Sequence, residues 1–221
     1  MATGMASSRQ RTPVRPYGGV SANERIATRR TRLLEAGLEL FGTDGYLASG
    51  VKDVCREAGL TDRYFYESFR DTRELFIAVF DRVTDELFAS VAGAVDASGP
   101  APDAQLKAGI ETFVRALGDD RRKARVIFSE AAGVGPEAEQ HMRVTLRRFS
   151  GLVGATARRH LAADVPDELV EVVALSVVGT LERVIIEWQE EELDLPIERI
   201  IDHCTTLFRV LLTGLEAKAR G

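Results

Sequence analysis

The amino-acid sequence predicts an all-α protein, and two observations support this prediction. Apolar residues recur at the three- and four-residue spacing of amphipathic helices through most of the 221 residues. Gly and Pro cluster near the start of the chain and at the breaks between long periodic runs, and no alternating strand pattern occurs. We therefore expect about nine helices: three in an amino-terminal unit, a long fourth helix, and a larger helical body.

Composition and charge limit the classes of function. Apolar residues make up 45% of the chain and charged residues 29%, which is typical of a globular protein. The net charge is −5, and residues 1–80 carry 12 basic and 10 acidic side chains, so charge alone does not identify a nucleic-acid binder. The most apolar run, residues 169–188, contains too many charged residues to span a membrane. No signal peptide is recognised, and the expected location is the cytoplasm.

No pattern typical of an enzyme or a metal site is found in the sequence. The HExxH, GxSxG, paired CxxC and phosphate-loop patterns are all absent. Cys55 and Cys204 lie far apart in apolar helical settings, so we interpret them as small buried thiols. We predict no catalytic activity, no metal and no cofactor.

The chain divides into three predicted segments. Residues 1–23 are rich in Ser, Arg, Gly and Pro and are expected to be disordered, either as a basic arm that tracks phosphates or as a solvated tail. Residues 24–72 form a first domain and residues 73–221 a second. Helix 1 is predicted from about residue 24 to Gly42. Its early turns carry a cluster of arginines, Arg25, Arg29, Arg30 and Arg32.

Residues 51–70 are interpreted as two short helices joined by a tight turn. Apolar residues recur on one face of the first helix. Ser49 and Gly50 lie where the N-cap of this helix belongs. Gly59 ends the helix, because a residue without Cβ easily adopts the left-handed conformation that a sharp stop requires.

The second of these helices presents a polar face to solvent. Thr61 or Asp62 can cap it through a side-chain oxygen. Phe65 and Phe69 are four residues apart and share the inward face. The outward and flanking positions carry Arg63, Tyr64, Tyr66 and Glu67. Two helices across a glycine turn, the second exposing such residues, are typical of a helix-turn-helix that binds the major groove of DNA.

Several residue groups stand at fixed spacings: Gly45-Tyr46, Val51-Lys52-Asp53-Val54, Glu57-Ala58-Gly59-Leu60-Thr61, Tyr66 with Phe69, and Glu74-Leu75. Over about residues 28–80 they resemble the amino-terminal domain of TetR/AcrR-type transcriptional regulators. The resemblance implies a homodimeric, sequence-specific DNA-binding protein with a palindromic operator, a repressor released by a small-molecule effector. The sequence departs from the family pattern at Cys55, Ser68 and Thr72, where alanine, histidine and lysine are usual.

The predicted DNA contacts fall into two classes. By resemblance, Tyr66 and Thr61 contact phosphate groups, whereas Arg63 and Tyr64 are candidates for base edges, because an arginine can bind guanine O6 and N7 together. Glu67 either pairs with Arg63 within the helix or accepts a hydrogen bond from cytosine N4. The full predicted DNA-binding set is Ser49, Gly50, Lys52, Thr61, Asp62, Arg63, Tyr64, Tyr66, Glu67, Ser68, Arg70, Thr72 and Arg73.

The second domain is predicted to contain helices 4 to 9. Helix 4 opens at Asp71 or Thr72 and keeps its apolar period up to the Gly- and Pro-rich break at residues 98–102, which makes it long enough to link the two domains. The following helices are predicted at about residues 103–117, 121–132, 136–162, 166–192 and 196–217.

Helices 8 and 9 carry apolar residues on more than half of their circumference, which implies burial on two sides. One side faces the chain's own core. The other most simply meets a second copy, although a helix packed centrally in a monomer would show the same pattern. The predicted dimer-interface residues are Leu175, Gly179, Ile186, Leu207, Leu211 and Gly214.

Aromatic and sulfur-containing residues on the second domain are candidates for the walls of a ligand pocket, although ordinary core packing explains most of them. The predicted ligand-binding residues are Phe76, Phe80, Phe113, Phe128, Met142, Phe149, Arg183 and Trp188. Two alternatives to an effector-controlled regulator remain: a DNA binder without a ligand, and a helical small-molecule carrier or enzyme without a recognisable catalytic motif.

Overall fold

The computed structural model describes residues 21–219, which fold into nine helices and a short 3-10 turn at Tyr46–Ala48. The helices are α1 (Ala22–Thr43), α2 (Val51–Ala58), α3 (Asp62–Tyr66), α4 (Thr72–Ala97), α5 (Pro102–Gly118), α6 (Arg121–Ala124, a π-helical segment Arg125–Glu130, and Ala131–Val134), α7 (Pro136–Arg158), α8 (Asp167–Gln189) and α9 (Ile197–Ala219). The all-α prediction is confirmed, since the described residues contain no strand. None of these helices is both long and apolar enough to cross a membrane. The predictions for the first 20 residues lie outside the described residues.

The start of α1 is fixed by a reciprocal pair of hydrogen bonds. The Glu24 backbone N–H donates to Ser21 Oγ at 3.1 Å, and the Ser21 backbone N–H donates to a Glu24 carboxylate oxygen at 2.6 Å. Such a capping box satisfies N–H groups that have no partner within the helix. The inner face of α1 then buries Leu33 and Phe41 completely.

Three helix ends differ from the sequence prediction. Helix α7 ends at Arg158, four residues early, because the Arg158 guanidinium donates to the Val165 carbonyl at 3.0 Å and pairs with Asp167 at 2.5 Å, which holds the chain in a loop. Helix α8 ends at Gln189, ahead of a left-handed residue, Glu191, at φ 63°. Helix α6 continues to Val134 through its π-helical segment, which the apolar period did not reveal.

Helix α4 passes through both parts of the molecule. Near its start, Phe76 is fully buried and its ring lies 5.5 Å from that of Phe41 and 5.4 Å from that of Tyr46. Further along the same helix, Val83 and Val91 are buried in the larger helical body. The buried residues of α1 to α3 and of the body therefore form one continuous hydrophobic cluster.

Helix α6 attaches the body to the end of α1 through charged side chains. Arg122 pairs with Glu39 of α1, with 2.5 Å between nitrogen and oxygen. The Glu130 carboxylate accepts from the Tyr46 backbone N–H at 2.8 Å and from Arg125 Nε at 3.0 Å. Arg125 also donates to the carbonyl of Thr43. We call Glu130, Arg125 and their two backbone partners the α6 latch. It holds the loop that leads into α2.

Candidate nucleic-acid interface and effector cavity

Helices α2 and α3 meet at a left-handed glycine, as the sequence predicts. Gly59 has φ 60° and its backbone N–H donates to the Arg56 carbonyl. Gly50 is the N-cap of α2, and its backbone N–H donates to the Asp53 carboxylate at 3.1 Å, which lowers the pKa of Asp53. Thr61 is the N-cap of α3, but no side-chain oxygen caps this helix. The predicted capping bond is therefore wrong.

The inward face of α3 follows the predicted spacing. Phe65 and Phe69 are almost fully buried, with rings 6.0 Å apart. Tyr66 flanks this face and is 61% exposed, and its ring makes an edge contact with that of Phe65, with 5.5 Å between the centroids. The Tyr66 ring therefore packs on the core through Phe65, and its exposed side is accessible to a binding partner.

A charged network covers the outer face of α3. Arg63 Nε lies 3.1 Å from one Glu67 oxygen, and Arg29 of α1 lies 3.5 Å from the other. The Arg29 guanidinium also stacks on the Tyr64 ring, 4.4 Å from its centroid. Tyr64 is consequently half-buried, and its ring face is already occupied. Of the two base-edge candidates, Arg63 is exposed although it pairs with Glu67, and Tyr64 is held against the surface.

The remaining predicted DNA-contact residues are not all equally accessible. Exposed positions are Gly50, Lys52, Thr61, Asp62, Arg70 and Arg73, whereas Ser68 and Thr72 are half-buried. Arg70 donates to Glu74 from both its backbone N–H and its side chain, and these hydrogen bonds lower the pKa of Glu74. The predicted DNA contact of the Ser49 side chain does not fit the structure. Ser49 is buried and its hydroxyl donates to the Gly45 carbonyl at 2.8 Å, so this side chain is not available to DNA in this conformation.

Two features of this surface were not in the predicted set. Leu47, in the turn before α2, is 87% exposed. Arg30 stacks on Phe69 at 4.3 Å and donates to the Ser68 carbonyl at 3.0 Å, so it braces the end of α3 from α1. A basic cluster on α1 is visible in the sequence, but which arginine reaches α3 depends on the packing of the two helices.

The helical body contains two neighbouring apolar cavities. The larger, of about 130 Å³, lies between α4, α5, α7, α8 and α9. The smaller, of about 30 Å³, lies between α4, α5, α6, α7 and α8. Phe113 lines both, and its ring lies 6.0 Å from that of Phe149, which lines the smaller one. Burial raises the pKa of Glu182, a carboxyl at the wall of the smaller cavity.

The predicted ligand-binding residues divide between these cavities and other places. Five of them, Phe80, Phe113, Phe128, Met142 and Phe149, line the smaller cavity. Three do not line either cavity. Phe76 packs against α1, Arg183 forms an exposed pair with Glu187, and Trp188 donates to the Leu195 carbonyl at 2.9 Å. The helical period of the sequence indicates which positions face the interior, but it does not show whether a given side chain lines a cavity or packs against another helix.

The two cysteines are free and buried, as predicted. Burial and the neighbouring Asp62 raise the pKa of Cys55 to about 11, so this thiol stays protonated at neutral pH. No group of three or more metal-ligating side chains occurs in the part of the chain that the structure describes.

Comparison with known proteins identifies the amino-terminal helices. Residues 33–79 match the family model described as bacterial regulatory proteins, tetR family. These residues form an amino-terminal domain of the TetR type. This assignment agrees with the helix-turn-helix geometry of α2 and α3, which lie within the matched range. TetR-family proteins are transcriptional regulators rather than enzymes.

Individual TetR-family relatives extend the likeness beyond the matched helices. The HTH-type transcriptional activator FasR from Mycolicibacterium smegmatis is 29% identical over 140 residues, which cover 62% of this chain and 64% of FasR. The fatty acid degradation regulator FadR from Bacillus halodurans has the same fold, with a TM-score of 0.72 and 14% identity over 81% of this chain and 94% of that one. FadR from Bacillus subtilis, in complex with stearoyl-CoA, gives a TM-score of 0.72 and 15% identity over 80% and 96% of the two chains.

The network on α3 leads to a prediction about Glu67. We expect Glu67→Gln to strengthen binding to bulk DNA, because it removes one negative charge from the face and frees both Arg63 and Arg29 for phosphates. The salt dependence should become steeper by up to about one unit in the slope of log K against log salt. Fluorescence anisotropy with random-sequence duplex at several salt concentrations measures both quantities.

The control for this prediction is Glu168→Gln, which removes the same charge at an exposed position on α8. Unchanged or weaker binding of Glu67→Gln to bulk DNA would refute the pairing interpretation. Lost discrimination at a single base pair, with unchanged bulk binding, would instead favour the contact of Glu67 with cytosine.

Proposed function

We propose that the chain is a homodimeric, sequence-specific DNA-binding regulator whose affinity for DNA is controlled by an apolar small-molecule effector. The observation that carries the DNA-binding part is the outer face of α3. There Tyr66 and Arg63 are exposed, while Phe65 and Phe69 anchor the same helix in the core. Two such helices, held at a separation of about 34–36 Å, would read successive major grooves of a palindromic operator.

The dimer part of the proposal rests on an apolar surface of the body. Leu175 of α8 and Leu207 of α9 are 47% and 45% exposed, and Val172 and Val210 are exposed beside them. A Cβ added at Gly179 or Gly214 would meet no other atom within 4 Å. A second copy would cover this surface, with its backbone close to the two glycines. Ile186 and Leu211 are half-buried at the edge of the same helices.

The effector part rests on the two cavities. Their walls are almost wholly apolar, and a solved relative of the same fold holds stearoyl-CoA. A ligand shifts the equilibrium between two protein states only by its difference in affinity for them, so a ligand that enlarges the cavity would favour a body with a displaced α4 or α6. Repression is the form that the family resemblance implies, whereas FasR is named an activator. The proposal therefore concerns effector-controlled DNA binding and leaves open whether that binding represses or activates transcription.

A second candidate function is DNA binding without an effector. The larger cavity, at about 130 Å³, is smaller than the roughly 300–1,000 Å³ of common ligand pockets. This size favours the second candidate unless the body opens on binding. Operator affinity that does not respond to any apolar ligand that the protein binds would select it.

We expect the purified protein to prefer a duplex from upstream of its own gene over random duplex by at least about 10³-fold. Arg63→Ala should weaken specific binding by about 1–3 kcal/mol, because a base contact is lost. Tyr66→Phe should weaken binding to both duplexes alike, because a phosphate contact is lost. Anisotropy titrations measure all three, with Arg121→Ala, an exposed arginine on α6, as control. Equal affinity for both duplexes at every salt concentration would refute sequence-specific binding.

The dimer prediction uses a matched pair of glycines. Gly179→Leu should dissociate the dimer, because its side chain would occupy the space of the second copy. Gly93→Leu should leave the dimer intact, because Gly93 is also exposed and open but belongs to α4, which contributes no residue to this surface. Sedimentation equilibrium measures the association constant. A monomeric parent protein, or a dimer that survives both Gly179→Leu and Leu207→Asp, would contradict the proposed interface.

A further inference from the structure

The larger cavity has one polar end. Its lining comes from five helices, and only Gln105, Thr156 and His160 contribute polar side chains to it. Gln105 lies in the first turns of α5, whereas Thr156 and His160 lie one helical turn apart at the end of α7 and just beyond it. All three therefore meet at the end of the cavity near the α4–α5 and α7–α8 connections. Phe113 lies eight residues along α5, about 12 Å away by the rise of an α-helix.

The hydrogen bonds at this end leave donors unused. Gln105 is only 8% exposed, and its amide nitrogen donates one hydrogen to the Gly99 carbonyl at 2.8 Å. Its carbonyl oxygen lies 2.9 Å from His160 Nε2, which must carry the hydrogen because an amide oxygen can only accept. Thr156 Oγ1 accepts from Arg159 at 3.3 Å, so its own hydrogen is available. The second amide hydrogen of Gln105 and the hydroxyl hydrogen of Thr156 therefore have no acceptor among the described contacts.

The electrostatic surroundings favour an anion at this end. Gln105 lies in the second turn of α5, next to the positive end of that helix dipole. The Arg159 guanidinium is in contact with Thr156. Asp103 is the nearby acid of the same helix, and Arg209 of α9 pairs with it at 3.0 Å, which offsets its charge. A carboxylate could accept from the Gln105 amide and the Thr156 hydroxyl at once, while the Nε2–H of His160 holds the Gln105 amide in this orientation.

The volume limits the apolar part of the ligand. An engineered apolar cavity of about 150 Å³ accommodates benzene, so the roughly 130 Å³ here corresponds to an apolar body of about six to eight carbons. A long acyl chain would not fit without displacing Phe113 and Phe149, which separate this cavity from the smaller one.

We propose that the larger cavity binds a small monocarboxylic acid, with its carboxylate on Gln105 and Thr156, with His160 positioning the Gln105 amide, and with its apolar body toward Phe113. The inference deepens the proposed function by giving the class of effector, and it rests on that function only for its regulatory consequence. Binding itself is a separate property of the cavity.

The test compares ligands that differ only at the polar end. Isothermal titration calorimetry of the full chain with octanoate and with 1-octanol should give octanoate at least about tenfold tighter affinity, because hydrogen bonds to a charged group contribute roughly 1.5–3 kcal/mol. Gln105→Leu and His160→Phe should each reduce octanoate affinity by about tenfold or more and leave 1-octanol affinity unchanged. His203→Phe, an exposed histidine of α9, is the matched control.

Two further binding measurements test the carboxylate site even if Gln105→Leu or His160→Phe does not fold. Gln105→Glu should repel octanoate and still bind 1-octanol, while its circular-dichroism spectrum reports folding. Palmitoyl-CoA should bind more weakly than octanoate. Equal affinities for octanoate and 1-octanol, octanoate binding unaffected by Gln105→Leu and His160→Phe, or tight binding of palmitoyl-CoA without binding of octanoate would each overturn the assignment.

A DNA-binding measurement separates this inference from the proposed function. If octanoate binds as expected but the protein shows no preferred duplex, the carboxylate site stands and the regulator proposal fails. If the preferred duplex is found and octanoate does not bind, the regulator proposal stands and the carboxylate site fails.

Discussion

The structure depends on one constraint: helix α4 runs through a continuous hydrophobic core that joins the amino-terminal helices to the body. Phe76 fills the core of the amino-terminal helices, and Val91 and Val95 of the same helix line the larger cavity. The 15 residues from Phe76 to Val91 span about 22 Å of continuous helix, which is stiff on this scale. The position of α3 and the shape of the cavity are therefore coupled by a single element, because a buried helix cannot shift at one end without repacking the other.

The α6 latch adds a second connection between the same two regions. Phe128 lines the smaller cavity, while Arg125 and Glu130, within the same π-helical segment, hold the carbonyl of Thr43 and the amide of Tyr46. A ligand that moves Phe128 would act within one helical turn on the loop before α2. Segments of π-helix often occur at functional positions, which agrees with this double role. Helices α2 and α3 are thus attached to the body at two points, through the apolar contacts of α4 and through the charged α6 latch.

The local features of the fold could be predicted from sequence, because they depend on neighbours within four residues. The left-handed Gly59, the inward Phe65 and Phe69 and the exposed Tyr66 follow from helical period and turn chemistry. Partners chosen over long distances could not be predicted. Tyr64, for example, is covered by an arginine from α1. Ser49 is a local exception, because its hydroxyl donates to the Gly45 carbonyl only four positions earlier.

The same distinction applies to the cavity. Aromatic residues are conspicuous in a sequence, and four of the predicted ones line the smaller cavity together with Met142. The larger cavity is lined mostly by aliphatic residues that no pattern separates from ordinary core. Its polar end joins Gln105 to His160 across 55 positions, so the pairing is visible only after the helices pack.

The most direct measurement of the coupling is a distance between α3 and the body. Nitroxide labels at Arg63→Cys and Glu168→Cys, in chains diluted with unlabelled protein, can be measured by pulsed electron paramagnetic resonance. The buried Cys55 and Cys204 should not react. Rigid attachment through α4 and the latch predicts one narrow distance distribution, which broadens when Glu130→Ala removes the carboxylate that holds Tyr46. A broad distribution in the parent chain would contradict the coupling through α4, because α3 would then move independently of the body.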